Sequence, residues 1–541
     1  MKEKIYNILQ KIIEEKKYSL KGNFSVFPSD KKEFGDFSTN VALRIMIPGI
    51  QPQTTAEEIA KLIRQSKDMC LFEKIEVRNG FINFFLKNYQ YQQIIENILA
   101  ERDKYGSINA GKNQKILIEF VSANPTGPLT IAHGRQAAYG EALSRILKFA
   151  GYQVTKEYYL NDCGRQMDLL GESLKANYYQ IKGENFSIPE DGYQGGYLKE
   201  IAKMIPEEVN DTSKEFWTHF AEKEILNGIK KDLLDFGISF DSWVRESSLR
   251  ENGKVEEIID KLKSKELIYE KENALWFSST SFGDDKDRVL KKQDGSYTYF
   301  APDIAYHYQK IEKGYNLLVD IWGPDHFGYI PRLKAALKCF GFSEDKLKVI
   351  IVQLTTLYRG KEKISMSTRK DQFISLRQLM DEVGSDATKF FYLFRKAESH
   401  LDFDLELAKK RTEENPVYYI QYAYVRASHI IKFAQENSLG NNNLLDIDIS
   451  VLDKDEEKEI LKKIAFFPEI IKQISLNLQV SGLAQYLLEV SNMFHSYYQK
   501  YRIVTSEDKT ISHARIMLVE CILRVLSNGL TLLGISLPEK M

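Results

Sequence analysis

Apolar positions follow three different patterns along this 541-residue chain. In the first region, apolar residues recur at helical spacing between Ile5 and Ile13, and residues 80–86 alternate as a strand does after a turn. A cluster of Asp, Ser, Thr and Asn at 36–40 precedes an apolar run, which indicates the start of a helix. These patterns predict a small α+β domain over residues 1–105, followed by a polar linker.

The second region alternates strands and helices in the manner of a parallel sheet. A strand, a helix at about 132–150 and a second strand form a βαβ unit. Periodicity weakens over residues 183–294 and then returns, which indicates an insertion. The sequence predicts four sheet strands, at 115–120, 154–160, 317–322 and 348–352. We therefore predict a doubly wound α/β domain of the Rossmann type over residues 112–397, with its ligand at the carboxyl ends of the strands.

After residue 397 only helical periods remain. The predicted helices begin at Val417 and cover residues 456–479, 481–502 and 513–533. Short polar links separate them, so residues 398–541 are predicted to form an all-helical bundle. The fold class is therefore that of a multidomain protein: a small α+β domain, a split α/β domain and an all-α domain.

Composition narrows the function classes. The sequence is 43% hydrophobic and 28% charged with a net charge of −1, so a nucleic-acid partner must bind a local basic surface. No apolar run reaches the roughly 18 residues that span a bilayer, and no signal segment precedes the first helix. Four distant cysteines without a CxxC pair argue against a zinc site. We expect a cytoplasmic protein.

One loop carries the strongest chemical signal. Residues 121–130 are rich in Ser, Asn, Thr and Gly and contain two prolines that stiffen the backbone. His133 falls at the start of the following helix, where free N–H groups and the helix dipole favour anions. The pattern predicts a phosphate site; the alternative is an ordinary β-to-α turn that is capped by an Asn or a Thr.

A second loop, residues 364–370, places hydroxyl groups next to Arg369 and Lys370. Such a loop before a helix can clamp a phosphate, and a solvated loop with scattered charges is the alternative. The sequence contains neither G-x-x-x-x-G-K-[ST] nor a G-x-G-x-x-G after its first parallel strand. The two commonest nucleotide-binding motifs are therefore absent.

Together the two loops resemble the paired signatures of class I aminoacyl-tRNA synthetases. Ser-Ala-Asn-Pro-Thr-Gly-Pro-Leu at 122–129 and further motifs resemble those of the arginyl-tRNA synthetase family, and residues 35–43 are similar to its N-terminal extra domain. The resemblance covers nearly the whole chain. The other motifs that carry it lie at 158–166, 297–306, 323–326, 366–369, 399–404, 414–423 and 537–541.

The resemblance implies a reaction. ATP and arginine give arginyl-adenylate and pyrophosphate, and the arginyl group then moves to the 3′-terminal adenosine of its tRNA, which is needed already for the first step. Carboxylates and a flat ring suit a guanidinium group. Asp303 would pair with it, Tyr299 would pack against it and Glu119 would hold the ammonium group. The implied arginine-binding residues are Glu119, Ser122, Asn124, Tyr299 and Asp303. By local pattern alone, Asp303 could instead be a helix cap and Tyr299 a core residue.

The resemblance also implies an ATP site. His133 would stabilise the phosphates in the transition state, and Ser367, Thr368 and Arg369 would close over them, so no protein nucleophile is needed. Magnesium would accompany ATP, held mainly by phosphates and water. His326 could instead be a satisfied core histidine. The implied ATP-binding residues are Pro125, Thr126, Gly127, Pro128, Leu129, Thr130, Ala132, His133, Gly134, His326, Gln353 and Met366.

The chain departs from the family pattern in three places. Thr130 stands where the first loop usually has a histidine, Ser365 and Thr368 stand where the second loop often has lysines, and Phe327 replaces a second histidine. Lys361, Lys363 or Lys370 could replace the missing charge. The departures leave three hypotheses: an active arginine–tRNA ligase, a non-catalytic tRNA-binding paralogue, and an adenylyl-forming ligase for another small molecule.

The terminal domains imply a tRNA partner. The all-helical domain would bind the anticodon with stacking rings and a cation, and the N-terminal domain would touch the outer corner of the tRNA. About half of the tyrosines near residue 420 are expected to be core residues. The tRNA-binding candidates are Asn83, Phe84, Tyr418, Tyr422 and Arg426. We expect a monomer that binds arginine, ATP and the tRNA for arginine, without a membrane.

Overall fold

The computed structural model describes all residues except 30, 208, 210–212, 365–373, 438, 440–447 and 506. The chain forms two compact units. The first comprises residues 1–105, 427–466 and 493–525, and the second comprises residues 106–426, 467–492 and 526–541. The C-terminal helices thus contribute to both units, which differs from the predicted separate bundle over residues 398–541. None of the helices within the described residues is long and apolar enough to cross a membrane.

The N-terminal region of the first unit has a four-stranded antiparallel sheet, with strand order β1-β2-β4-β3. Its elements are α1 (Lys2–Lys16), β1 (Val26–Pro28), β2 (Phe37–Thr39), α2 (Val41–Arg44), α3 (Pro52–Gln65), β3 (Phe72–Arg78), β4 (Phe81–Leu86) and α4 (Asn88–Glu101). The predicted α+β class of this region is confirmed. The helix predicted after the polar cluster at 36–40 is only the single turn α2. Most of the cluster itself forms β2.

Asp36 shows what the polar cluster does. A Cβ atom at Gly35 would lie 2.6 Å from a backbone carbonyl oxygen of β4, and the φ of 76° there also favours glycine. The Asp36 carboxylate accepts hydrogen bonds from the backbone N–H of Leu86 at 2.6 Å and from the Tyr91 hydroxyl at 2.9 Å. It also pairs with Lys462 at 3.1 Å. One carboxylate therefore ties the sheet to α4 and to a later helix of the same unit.

The second unit contains a five-stranded parallel sheet. Its elements up to the sheet's last strand are β5 (Lys115–Phe120), α5 (Ile131–Phe149), β6 (Gln153–Leu160), α6 (Arg165–Ile181), α7 (Gly196–Lys203), α8 (Lys214–Asp235), β7 (Ser242–Arg245), α9 (Glu246–Glu251), α10 (Lys254–Ser264), β8 (Ile268–Lys271), β9 (Ala274–Phe277), β10 (Arg288–Lys291), α11 (Phe300–Glu312), β11 (Leu317–Trp322), α12 (Ile330–Cys339) and β12 (Leu347–Ile351). The strand order is β12-β11-β5-β6-β7, and every pairing is parallel. The predicted doubly wound α/β class is confirmed, and the chain reverses direction across the sheet between β5 and β11, where such folds bind ligands.

The remaining elements lie after β12. They are β13 (Thr355–Arg359), β14 (Glu362–Lys363), α13 (Leu376–Val383), α14 (Ser385–Phe394), β15 (Leu401–Asp404), α15 (Leu405–Lys409), α16 (Pro416–Glu436), α17 (Asp455–Ala465), α18 (Phe467–Asn477), α19 (Ser481–Lys500) and α20 (Lys509–Leu532). The helix predicted at 456–479 is two helices, α17 and α18. Pro468 explains the break, because a proline at the second position of α18 lacks the N–H that a continuous helix needs.

The strand pairing differs from the predicted pattern in two places. The predicted insertion at 183–294 contains β7, which is an edge strand of the main sheet beside β6. Within that range, β8 and β9 form a separate three-stranded sheet with β10. The region after residue 397 is not purely helical, since β15 pairs with β13. Both missed strands have only four residues, too few to give a period.

The helix that carries His133 packs closely on the sheet. A Cβ atom at Gly140, in the middle of α5, would lie 2.3 Å from the ring of Phe120 on β5, and that ring is fully buried. Glycine therefore sets the distance between α5 and the sheet. Because interiors are close-packed, this distance also sets where the N-terminus of α5 stands.

We expect Gly140→Ala to lower the free energy of unfolding by about 1–3 kcal/mol, because the added methyl group overpacks this contact. Gly228→Ala in α8 is the matched control, since a Cβ atom there meets nothing within 4 Å. That control should raise stability by roughly 0.5–1 kcal/mol through helix propensity alone. Urea unfolding of both variants measures the difference; equal stabilities would contradict the packing role of Gly140.

Candidate active site

His133 lies in the first turn of α5 and is held there by Thr130. The Thr130 backbone N–H donates to His133 Nδ1 at 3.2 Å, and the Thr130 hydroxyl accepts from the His133 backbone N–H at 3.5 Å. This reciprocal pair is a capping box at the helix N-terminus. Because Nδ1 accepts a hydrogen bond, the ring proton is assigned to Nε2.

His133 is uncharged at neutral pH. Burial lowers its pKa to about 4, against the opposing charge of Asp325. The ring therefore presents a neutral Nε2–H donor beside the free N–H groups of a helix N-terminus. Such a group stabilises an anion by donating a hydrogen bond. The alternative of a plain turn with a Thr cap is correct for Thr130 but does not account for this oriented donor.

The first loop is joined to the segment that follows the second loop. Thr130 and Ser375 form an isolated antiparallel bridge, and the backbone N–H of Leu376 donates to the carbonyl of Leu129 at 2.7 Å. A Cβ atom at Gly134 would lie 2.7 Å from the Leu376 side chain, so this predicted ATP residue also permits the contact. The first loop and the first turn of α5 therefore contact Ser375 and Leu376. The predicted residues Met366, Ser367, Thr368 and Arg369 lie outside the described residues.

The first loop is rigidly supported. Its first two residues, Val121 and Ser122, have φ values of 69° and 41°, which non-glycine residues adopt only when the surroundings impose them. The hydroxyl of Tyr158 bonds to both the N–H and the carbonyl of Ala123, at 3.0 and 2.9 Å. Farther along, the Tyr197 hydroxyl donates to the carbonyl of Thr126 at 2.6 Å. Pro125, Gly127, Pro128 and Ala132 lie within the same supported segment.

Glu119, Ser122 and Asn124 occupy the carboxyl end of β5 as predicted. The Ser122 hydroxyl donates to Glu119 Oε1 at 2.9 Å and accepts from the backbone N–H of Tyr159 at 3.1 Å. Asn124 donates to the Gln166 side chain at 2.8 Å. Glu119 is buried, and the hydrogen bond from Ser122 fixes one of its carboxylate oxygens.

Asp303 and Tyr299 lie at the start of α11. The helix begins at Phe300, so Asp303 lies in its first turn rather than at the cap, and its carboxylate accepts a hydrogen bond from the Tyr329 hydroxyl. Burial, with the negative charges of Glu246 and Glu119, raises the pKa of Asp303 to about 6. Tyr299 is 58% exposed, which excludes the alternative of a core residue.

Glu246 is a second acidic residue near Asp303 that the sequence analysis missed. Its side chain is buried at the first position of α9 and pairs with Arg250. Asp162 fixes the start of this helix, since its carboxylate bonds to Arg245 at 2.7 Å and to the backbone N–H of Ser247 at 2.9 Å. The motif at 158–166 thus positions Glu246. The signal in the sequence was weak, because α9 and β7 are both very short.

Three carboxylates form a row across neighbouring strands of the parallel sheet. Glu157 on β6, Glu119 on β5 and Asp320 on β11 are neighbours in sheet register, and all three are at most 5% exposed. Helix α11 places Lys310 against this row, with Nζ 2.5 Å from Glu119 Oε2 and 3.3 Å from Asp320 Oδ1. Sequence periodicity could not find the row, because it arises only when the three strands align.

The row also contains a combination of ligand types that could hold a metal. Among the described residues, oxygen and nitrogen atoms of Glu119, His307 and Asp320 come within 4.8 Å of one another. Lys310 already bonds to two of the three residues. The ammonium group therefore supplies the cation there, and the trio does not fit a metal site.

His326 and Gln353 lie at the carboxyl ends of β11 and β12. The His326 side chain is 58% exposed and its Nε2 is 3.4 Å from Asp325, so the alternative of a satisfied core histidine is wrong. Gln353 is fixed through its backbone, whose carbonyl accepts from the buried Arg135 of α5 at 2.8 Å. Arg135 also donates to the carbonyls of Lys396 and Ser399, both at 2.9 Å. A single buried arginine thus ties the His133 helix to the end of β12.

The tRNA candidates have different environments. On α16 the rings of Tyr418 and Tyr422 stack with centroids 6.2 Å apart, and the Arg426 guanidinium lies 4.5 Å from the Tyr422 ring. The three side chains are spaced four residues apart and therefore lie on one face of α16. Asn83 and Phe84 are instead buried in the N-terminal sheet, where Asn83 accepts from Ser38. Asn83 and Phe84 are adjacent on β4 and therefore face opposite sides of the sheet, and both sides are covered there. Direct tRNA contact by these two residues stays a prediction, which their burial does not favour.

Comparison with known proteins gives a consistent result along the chain. Three family models match: "Arginyl tRNA synthetase N terminal domain" at residues 1–86, "tRNA synthetases class I (R), catalytic domain" at 94–392 and "DALR anticodon binding domain" at 420–541. The arginine–tRNA ligase of Shouchella clausii is 42% identical over 95% of this chain and 93% of its own. That of Hydrogenovibrio crunogenus is 38% identical over 100% of both chains.

A solved structure supports the same fold. Arginyl-tRNA synthetase of Thermus thermophilus matches with a TM-score of 0.78 and 19% identity, over 100% of both chains. At that identity the match concerns the fold alone. The family models and the full-length relatives establish more than the fold and confirm the resemblance seen in the motifs. The chain belongs to the arginyl-tRNA synthetase family.

Proposed function

We propose that this protein is an arginine–tRNA ligase, which activates arginine with ATP and transfers the arginyl group to the 3′-terminal adenosine of its tRNA. The observation that carries the proposal is the pair of features at one edge of the sheet. An oriented neutral histidine stands at a helix N-terminus, and Asp303, Glu246 and Glu119 form a cluster of buried carboxylates. The first suits phosphates, and the second suits a ligand with two cationic groups.

The cluster of buried carboxylates fits the two positive charges of arginine. Asp303 is the guanidinium partner, since its neighbours make the ionised form costly until a cation arrives. Glu246 extends the negative charge beside it, and exposed Tyr299 offers a ring face to the guanidinium plane. Glu119, with Ser122 and Asn124, receives the ammonium end. A site built from such buried groups can reject analogues that lack them by about 10⁴–10⁵.

The ATP site uses position and hydrogen bonds. His133 Nε2–H and the amides of the first turn of α5 stabilise the phosphates as pyrophosphate leaves. The loop from Pro125 to Thr130, with His326 and Gln353 at neighbouring strand ends, holds the rest of the nucleotide. Mg²⁺ enters with ATP, bound mainly by phosphates and water. Met366, Ser367, Thr368 and Arg369 bind the phosphates in this proposal, on the ground of the family resemblance.

Thr130 is compatible with activity. The residue is the N-cap of α5, and its backbone N–H selects the His133 tautomer that donates from Nε2. A threonine thereby orients the remaining histidine instead of supplying a second one. The alternative of a non-catalytic tRNA-binding paralogue is not favoured, because a pure RNA binder has no use for a cluster of buried carboxylates.

The terminal regions bind tRNA in this proposal. Tyr418, Tyr422 and Arg426 present a stacked face for unpaired anticodon bases. The N-terminal sheet contacts the outer corner of the tRNA through residues other than the buried Asn83 and Phe84. The protein acts as a cytoplasmic monomer and needs tRNA for the activation step.

Arginine-dependent exchange between ATP and labelled pyrophosphate tests the proposal. We expect exchange with arginine in the presence of total tRNA, and none with lysine or with citrulline, which has arginine's shape without its charge. Omitting tRNA should abolish exchange. Equal exchange without tRNA would contradict the tRNA requirement, and absence of exchange under all conditions would contradict the ligase.

Use of arginine should weaken below about pH 6. Asp303 has a pKa of about 6 in the free protein, and a guanidinium binds its ionised form. Below that pH, binding must displace a proton, so kcat/KM for arginine falls by up to about tenfold per pH unit; above pH 7 this effect vanishes. The profile from pH 5 to 8 should be compared with that of Asp303→Asn, because titration of ATP affects both alike. An identical acid limb in the variant would contradict this assignment.

A further inference from the structure

The row of Glu157, Glu119 and Asp320 is unusual because like charges lie side by side in the interior. Parallel pairing places Asp320 opposite Glu119 and Glu119 opposite Glu157. Adjacent buried carboxylates repel one another, and without partners one of them takes up a proton. The row is therefore stable in its ionised form only if something else supplies positive charge.

Helix α11 supplies that charge from one face. Lys310 Nζ contacts Glu119 and Asp320, His307 Nε2 lies 2.8 Å from Asp320 Oδ2, and the Tyr306 hydroxyl donates to Glu157 at 2.8 Å. The Lys310 ammonium also sits 4.0 Å from the centre of the Tyr306 ring. Three residues of α11 thus contact all three members of the row.

The acidic groups of the row outnumber the basic groups that contact it. His307 Nδ1 lies 2.9 Å from the backbone carbonyl of Asp303 while Nε2 faces Asp320, so both ring nitrogens face acceptors. Although burial opposes it, Lys310 and His307 lower the pKa of Asp320 to about 2. Glu119, in the centre, is the member that also bonds to Ser122 of the first loop.

We propose that Lys310 is a positioning residue for arginine binding, which holds the Glu119 carboxylate in place for the substrate's ammonium group. The inference rests on the proposed function, in which Glu119 holds that ammonium group. Lys310 contacts Glu119 Oε2 while Ser122 contacts Oε1, so both carboxylate oxygens are held and the group cannot rotate. The same lysine belongs to the helix that carries Asp303, so one helix sets the position of the acidic groups at both ends of the amino acid.

The test compares Lys310→Met, which keeps the length but removes the charge, with Lys310→Arg, which keeps the charge. We expect Lys310→Met to raise the KM for arginine by about 10- to 100-fold, the scale for losing an outer partner of a ligand-binding group. The KM for ATP should change less than about twofold, and Lys310→Arg should restore most of the arginine affinity.

Lys389→Met is the matched control. Lys389 on α14 is also buried, and its Nζ donates to the carbonyl of Gly534 at 2.8 Å. Its loss should lower thermal stability without changing the KM for arginine. A purely structural role of Lys310 predicts the same behaviour for Lys310→Met, so a folded Lys310→Met with unchanged arginine KM would overturn the proposal.

A double variant covers the case in which Lys310→Met does not fold. Lys310→Met with Asp320→Asn removes one charge of each sign and leaves the net charge of the row unchanged, while Glu119 still loses its Nζ contact. We expect this variant to fold and to show a raised arginine KM; a normal KM would overturn the inference. Inactivity of the unmodified protein toward arginine would instead refute the proposed function, so the two failures are distinguishable.

Discussion

Replacing Asp303 by Asn is expected to lower kcat/KM for arginine by about 30-fold to several thousand-fold. Loss of one partner of a buried, hydrogen-bonded charge pair costs about 2–5 kcal/mol, and each 1.4 kcal/mol is about tenfold. The KM for ATP should hardly change, because Asp303 lies at the start of α11 and not on the His133 loop. Steady-state aminoacylation at pH 7.5 with varied arginine measures the effect.

Stability separates this effect from misfolding. The folded protein raises the pKa of Asp303 above its ordinary value, so the ionised carboxylate destabilises the fold above about pH 4 and increasingly up to pH 6. Asp303→Asn should therefore be as stable as the parent or slightly more stable at pH 7.5. Asp345→Asn, at a side chain that is 93% exposed, is the control and should leave both properties unchanged. An unchanged KM for arginine in Asp303→Asn would remove Asp303 from the arginine site.

His133→Ala should lower kcat by about 10²- to 10³-fold, the loss that follows removal of one hydrogen-bond donor to a transition state. The KM for arginine should stay nearly constant, since His133 serves the phosphates. Because burial lowers the pKa of His133 to about 4, the parent's kcat should show no limb from this residue between pH 6 and 8. Pre-steady-state formation of the adenylate in the presence of tRNA isolates the affected step.

Two comparisons control the histidine variant. His219→Ala removes an exposed histidine of α8 and should leave kcat unchanged. The His133 variant also loses one half of the capping box, which costs roughly 1 kcal/mol of stability, so both proteins should be assayed well below their melting temperatures. A kcat within about threefold of the parent's would contradict a role for His133 in stabilising the phosphates.

Local sequence pattern predicted the parts of the fold that have long periods. The strand at 115–120 and the helix that follows it were predictable because a buried strand, a stiff loop and a helix start stand next to one another in the chain. The short strands β7 and β15 were not, since four residues carry no measurable period. Their places are set by pairing with β6 and β13, which are distant in sequence.

The site shows the same division. Motifs identified Glu119, Asp303 and His133, but each depends on residues that no motif revealed. Lys310 reaches Glu119 across 191 positions of sequence, and Glu246 is delivered by a one-and-a-half-turn helix that Asp162 fixes. Burial of Phe84 likewise followed from sheet register and could not be judged from an aromatic-rich strand alone.

Attachment of labelled arginine to tRNA is the most direct test of the central claim. The purified protein is incubated with ATP, Mg²⁺, labelled arginine and total tRNA, and acid-precipitable label is measured over time. We expect arginyl-tRNA to accumulate to a plateau set by the tRNA for arginine, and prior periodate oxidation of the tRNA 3′ ends to abolish it. No label above background, with folded protein and intact tRNA, would contradict the assignment of this chain as an arginine–tRNA ligase.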